Sequence, residues 1–340
     1  MATEAVTLTV VGPDGEREMR ISSPSRLLWP GSGITKLDLA NYMLSVGSAF
    51  VEANGDRPVS LQRFPDGIDG EQFFSKNPPR GKPDFIRTVM CTYPSGRAHL
   101  QLVVDEPAAV LWMVQMNTIV VHPWPCRTAD TDNPDQVRID LDPQPGQGFA
   151  DAVRAALLLR EVLAEAGLTA YVKTSGNRGV HVFAPIVPTR EFLDVRHGVI
   201  AAARELERRR PDEVTTSWWK EERGDRVFVD FNQAARDRTM AGAYCPRPLE
   251  GAPVSCPVTW EELESVSPGE FTIETVPRRL QEVGDPWHGM HDAPGSIDTL
   301  MSWWERDLAD GLGELSFPPD YPKMLGEPSR VQPSRARKPE

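Results

Sequence analysis

Four cysteines in 340 residues, Cys91, Cys126, Cys245 and Cys256, are too few and too scattered for a disulfide framework. No two form a Cys-x-x-Cys pair and no histidine stands at zinc-ligand spacing, which excludes a zinc ribbon. No apolar run is long enough to cross a bilayer, and the N-terminus lacks the charged-then-apolar pattern of a secretory signal. Internal repeats are absent. The expectation is a soluble, cytoplasmic, monomeric protein with no membrane partner. Basic charge is also scarce: the net charge is −12, which argues against a uniformly positive nucleic-acid surface. Basic residues do cluster locally, at Arg204, Arg208, Arg209 and Arg210, at Arg223 and Arg226, at Arg236 and Arg238, and at Arg278 and Arg279. The first of these groups falls at an expected helix C-terminus, where cations are favoured without any ligand.

What the chain does have is a large apolar fraction, 40%, with nine tryptophans, enough for one large domain or two modest ones. The chemistry centres on Arg-Ile-Asp-Leu-Asp-Pro at 138–143. On a strand, Asp140 and Asp142 share one face while Ile139 and Leu141 pack behind them. Pro143 ends the strand, leaving the acidic pair beside a loop. Like charges this close repel unless a cation lies between them, and hard divalent ions suit bare carboxylates. A solvated turn gives the same letters, so context has to decide.

Context comes from two later stretches. A helix is expected over 149–166, ended by Gly167, and a strand over 169–174 leads into Ser-Gly-Asn-Arg-Gly-Val-His at 175–181. Such a loop can aim backbone N–H groups, a hydroxyl and a guanidinium at an anion. After a helix over 189–210, the apolar strand at 227–233 is interrupted by Asp230, a buried acid in need of a partner. Three carboxylates with a phosphate cradle form a kit for two-metal phosphoryl transfer.

Upstream, a hairpin over 6–22, a helix over 35–50 that begins with a capping box, and strands at 58–64, 84–91, 98–104 and 118–125 are expected. Lys36 sits in the first turn of its helix, where a free cation is disfavoured and a bound anion would relieve the conflict. Adjacent Phe73 and Phe74 must point to opposite faces of a strand, so one is expected in the core and the other free to stack on a base. His122 ends an apolar strand, where a lone histidine is more often structural.

Taken together, His-Pro-Trp-Pro at 122–125, the motif at 138–143, the loop at 175–182 and Val-Asp-Phe-Asn-Gln at 229–233 resemble the polymerase domain of bacterial ligase D, a branch of the archaeo-eukaryotic primase superfamily. The resemblance covers about residues 20–310. It is greatest to the stand-alone actinobacterial Prim-PolC type, since no ligase or nuclease domain is fused. It implies an α+β primase-polymerase core, with two mixed or antiparallel sheets flanked by helices and the active site between them. One catalytic domain over 1–325 is expected: a DNA-binding part at 1–115, a metal and nucleotide core at 116–260, closing elements at 261–325, then a disordered basic tail at 326–340.

The resemblance also implies roles. Asp140, Asp142 and Asp230 would be catalytic and would hold two divalent ions, Mn²⁺ or Mg²⁺. Ser175, Arg178, His181, Gln233 and Arg247 would bind the NTP or dNTP, and His122 its sugar, giving a ribonucleotide preference. Phe73 and Phe74 would stack on template; Arg26, Lys36, Arg63 and Arg223 would bind gapped or end DNA with a 5′-phosphate. A separate ATP-dependent DNA ligase and Ku are candidate partners. Departures occur at Arg26 and Arg178, where relatives often carry Lys, and at Gln62, where Lys is common. Two other classes compete: a glycosyltransferase using Asp-x-Asp with Mn²⁺, which leaves Asp230 unexplained, and a non-catalytic DNA-end-binding module, which leaves three carboxylates facing a polyanion.

Overall fold

The computed structural model describes residues 4–335. Two sheets carry the architecture. The first has six strands in the order Val214–Thr215, Val227–Asp230, Gln136–Asp142, Val180–Pro185, Tyr171–Thr174, Pro257–Val258. All of its pairings are antiparallel except the short outer one. One face of its central strands, with Ile139, Leu141, Val180, Val182 and Val229, is apolar and is covered by helices Phe149–Glu165 and Phe192–Arg209, while the other carries Asp140, His181 and Asp230. The second sheet is built on Arg57–Arg63, which pairs with Thr118–Pro123 along one edge and with Ala98–Val104 and Phe73–Ser75 along the other. Thr88–Thr92 extends it. This is the α+β, two-sheet arrangement expected from the resemblance.

Several boundaries differ from expectation for local reasons. The helix expected over 35–50 is two helices, Lys36–Ser45 and Gly47–Asn54, parted at Val46. Its capping box is present, with Thr35 and Asp38 bonding each other's backbone N–H. The strand expected over 227–233 stops at Asp230, which caps a 3₁₀ turn at Phe231–Ala234. The segment expected as a disordered tail is placed as far as Arg335, with Arg330 paired to Glu327. Residues 336–340 lie outside the described residues.

The two sheets are tied by buried arginines. Arg57, fully buried on the second sheet, makes a bidentate bond to Asp135, which immediately precedes Gln136–Asp142; the Nη2–Oδ2 distance is 2.7 Å. Arg127 adds a second cation at 2.8 Å. Burial alone would raise the Asp135 value, but Arg57 and Arg127 hold it well below the ordinary carboxylate range. In the other direction Arg138, 2% exposed, donates to Pro123 O and, at 2.9 Å, to Trp124 O. Asp135→Ala leaves the Arg57 charge buried and under-paired, so a loss of about 3–5 kcal/mol is expected in urea unfolding. A loss under about 1 kcal/mol would show that the sheets do not depend on this tether.

Candidate active site

Strand register assembles the acidic centre. Asp140 stands opposite His181 on one neighbouring strand and opposite Asp230 on the other. Asp142 follows at the exposed strand end. Burial, then the charges of Asp230 and Asp142, push the Asp140 carboxyl up to about 7. Asp230 is raised too, chiefly by burial, although Gln233 Nε2 at 2.9 Å and the Asn232 N–H at 2.9 Å both stabilise its charge. Unpaired carboxylates crowded to this degree are a cation's environment.

Among the described residues, no group of three or more histidine, cysteine, aspartate or glutamate side chains is arranged to hold a metal ion by itself. The donor set is all hard oxygen from strand ends and faces open space at Asp142. It fits a divalent ion that completes its shell with water and phosphate oxygens.

The 175–179 loop is pressed against this centre. A Cβ on Gly179 would lie 2.8 Å from Leu141 O and 3.6 Å from Asp140 Oδ1, so only glycine lets the backbone approach. Ser175 Oγ accepts from the Asn177 and Gly179 N–H groups at 3.2 and 3.1 Å, leaving its own proton to donate. Gly176 has φ +74°, and its Cα meets the Arg247 side chain closely enough that a Cβ would lie 2.5 Å from Arg247 Cγ. Arg178 is exposed, with no side-chain partner among the described residues.

His181 Nε2 is 3.4 Å from Asp140 Oδ1. Beneath it lies Lys173, fully buried, with Nζ 2.7 Å from His181 Nδ1 and bonded to Ser255 Oγ. Ser255 spends its hydroxyl proton on Thr174 O at 2.8 Å, so it accepts from Lys173. Lys173 therefore donates to Nδ1, and His181 presents Nε2–H to Asp140. Lys173 is absent from the residues expected at the site, although a lysine inside an apolar strand next to a glycine loop is a usable signal.

His122 reaches the same space from the second sheet. Burial first, then Arg247 and Lys173, depress its imidazole to about 3, so it is neutral at physiological pH. Its Nε2 lies 3.2 Å from Gln62 Oε1, and Phe74 meets its ring edge-on at 5.3 Å. Gln62 is thus a histidine partner.

The expectation that one of Phe73 and Phe74 is buried is wrong: they are 44% and 53% exposed. Their strand is a three-residue edge piece with no layer over either face. Phe73 stacks under Arg63 at 5.0 Å while Phe74 faces His122.

Lys36 also differs from expectation. It is 2% exposed, and its Nζ donates to Gln115 O at 2.7 Å, the last residue of helix Pro107–Gln115. A helix C-terminus, not an anion, relieves it. Arg63 Nε takes the next carbonyl, Met116 O, at 2.8 Å, and Arg26, exposed, bonds Pro65 O. Two cations thus cap one helix end, with Arg26 close enough for its charge to act on Lys36. Burial and Arg26 lower the Lys36 value to about 8.

Arg223, expected at the DNA surface, is 5% exposed. It donates to Ser217 O and Trp218 O and lies 3.6 Å over Phe228, where its charge is felt by Asp142 and Asp230.

The family model described as LigD, primase-polymerase domain, matches residues 35–287. The chain belongs to the LigD primase-polymerase family. It is similar to the multifunctional non-homologous end joining protein LigD of Pseudomonas aeruginosa, 33% identical over 86% of this chain and 35% of that protein. The bifunctional LigD of Bacillus subtilis is 29% identical over 82% of this chain and 45% of that protein. The chain therefore spans less than half the length of these relatives. A solved structure described as the polymerase domain from Mycobacterium tuberculosis ligase D in complex with DNA aligns with TM-score 0.73 and 25% identity, covering 81% of this chain and 98% of that one. The LigD primase-polymerase fold is that of a DNA/RNA polymerase-type nucleotidyltransferase, which removes the glycosyltransferase alternative.

A raised carboxyl has a stability consequence. Asp140 is neutral in both states below about pH 4, but between about 4 and 7 the folded chain holds a proton that the unfolded chain has released. Metal-free stability is expected to fall over that window. Asp140→Asn, which mimics the protonated form, should melt higher than the parent at pH 8, by about 1–2 °C per kcal/mol relieved, and at the parent's temperature at pH 4. Equal melting at both pH values would remove the proposed strain.

Proposed function

We propose that this protein adds nucleotides, NTPs in preference to dNTPs, to a primer 3′-OH at short gaps or broken ends of DNA bearing a downstream 5′-phosphate. The observation that carries the reading is the register of Asp140 between His181 and Asp230, with the 175–179 loop pressed over it.

Asp140, Asp142 and Asp230 would hold two divalent ions, Mn²⁺ or Mg²⁺, and bound ions supply charge stabilisation to the attacking and leaving oxygens. The remaining work belongs to the chain. Ser175, Arg178, His181 and Arg247 would orient the triphosphate, with His181 donating from Nε2 because Lys173 occupies Nδ1. Gln233 would act through Asp230, to which it is bonded. His122, neutral and held by Gln62, would meet the ribose without adding charge. Phe73 and Phe74, exposed on an edge strand, would stack on template bases. Arg26 would contact the 5′-phosphate, backed by the charges of Lys36 and Arg63; Arg223 would stabilise the acidic strand ends from behind. The relatives' names point to end joining; Ku and a separate ATP-dependent ligase would be the partners, in the cytoplasm, and base-excision gap filling is the other setting for the same chemistry.

Purified protein with Mn²⁺ is expected to extend a primer across a short 5′-phosphorylated gap, faster with NTPs than dNTPs, and Asp140→Ala should abolish extension. Full activity in that variant would defeat the mechanism. Because Lys36 is charged below about pH 8 and neutral above it, the affinity gain from a 5′-phosphate should shrink between pH 7 and pH 9. It should be small at both in Lys36→Ala. A gain independent of pH and of Lys36 would assign the phosphate elsewhere.

A further inference from the structure

Residues 314–330 run as an irregular strap across helix Phe192–Arg209, beyond the segment matched by the family model. The strap grips the chain that follows Asp230 at three points. Ser316 O accepts from Asn232 Nδ2 at 3.0 Å, the Tyr321 hydroxyl donates to Arg236 O, and Asp320 pairs with Arg238. Arg196, 1% exposed, joins the parts. Its Nε donates to Asn232 Oδ1 at 3.0 Å, its Nη1 to Glu314 at 2.9 Å, and its Nη2 to Leu315 O and Ser316 O at 3.0 and 3.2 Å. Its plane stacks 3.7 Å over Phe317 and 5.3 Å over Phe231.

Asn232 is therefore held at both ends of its amide, once by the helix and once by the strap. Its backbone N–H is one of the two donors fixing the Asp230 carboxylate, at 2.9 Å from Oδ1. An Asn232 free to turn would carry that N–H, and the carboxylate with it, away from the face shared with Asp140.

We propose that Arg196, together with the 314–330 strap that lies outside the family match, positions the Asp230 turn and so sets the metal affinity of the acidic centre. The proposal rests on Asp230 being a metal ligand.

The test is direct Mn²⁺ titration of the full-length protein, following the free-ion electron paramagnetic resonance signal, alongside NTP KM and circular dichroism. In Arg196→Met the Mn²⁺ Kd is expected to rise by about tenfold, the lower end for loss of a ligand's supporting contact, with NTP KM little changed. Arg196→Lys, which keeps the charge but not the planar fork, should recover only part of the loss. If Arg196→Met loses its folded spectrum, Phe317→Leu takes its place: it loosens the strap without unpairing a charge and should weaken Mn²⁺ in the same direction. An unchanged Mn²⁺ Kd in a folded variant overturns the positioning role. A parent protein that binds no Mn²⁺ overturns instead the reading of Asp230 as a ligand.

Discussion

The structure depends on the buried cation-to-anion and cation-to-carbonyl bonds that join its two sheets. Arg57 reaches from one sheet to Asp135 at the entrance of the strand carrying Asp140. Arg138, two residues before Asp140, reaches back to the carbonyls of Pro123 and Trp124, just after His122. Burying guanidinium groups is costly unless their donors are used, and here planar forks meet a carboxylate and paired carbonyls, with Arg57 Nε alone left without a partner among the described residues. Since these bonds flank both His122 and Asp140, they set the distance between the histidine and the acidic pair. Catalytic geometry and sheet packing are the same set of contacts.

Within that frame the centre is built against its own stability. Three carboxylates converge where burial and mutual repulsion push Asp140 to about 7. On the opposite side, Lys173, Arg247 and His122 crowd cationic or polarisable groups that depress one another: His122 falls to about 3, and burial, Lys173 and Arg247 carry His181 well below the ordinary imidazole range. The two sides act on each other: Lys173 and Arg247 lower the Asp140 value, and His181 Nε2 lies 3.4 Å from Asp140 Oδ1.

The overall acidity of the chain is compatible with a DNA partner because the positive charge is concentrated. Lys36 and Arg63 bond the carbonyls at one helix end, Arg26 acts on Lys36 from nearby, and Phe73 is stacked on Arg63. Elsewhere most basic clusters are consumed internally. Arg204 and Arg208 pair with Asp307, Arg209 with Glu165 and Glu205, and Arg279 with Glu262.

The sequence by itself determined the local facts: that Asp140 and Asp142 share a strand face, that the Ser175 to Gly179 stretch is a loop tight enough to need glycine, and that the strand beginning at Val227 carries an acid, Asp230. These follow from side-chain alternation and from φ, which act over a few residues. Tertiary structure decided everything that depends on which strands become neighbours. Register set Asp140 opposite both His181 and Asp230. Burial by distant segments turned Lys36 toward a helix end and Arg223 behind the acids. The shortness of an edge strand left both Phe73 and Phe74 exposed. Lys173, Arg196 and Asn232 escaped the sequence because their meaning lies in partners 8 to 120 residues away. A side chain's type declares what it can bond, and only the fold declares what it meets.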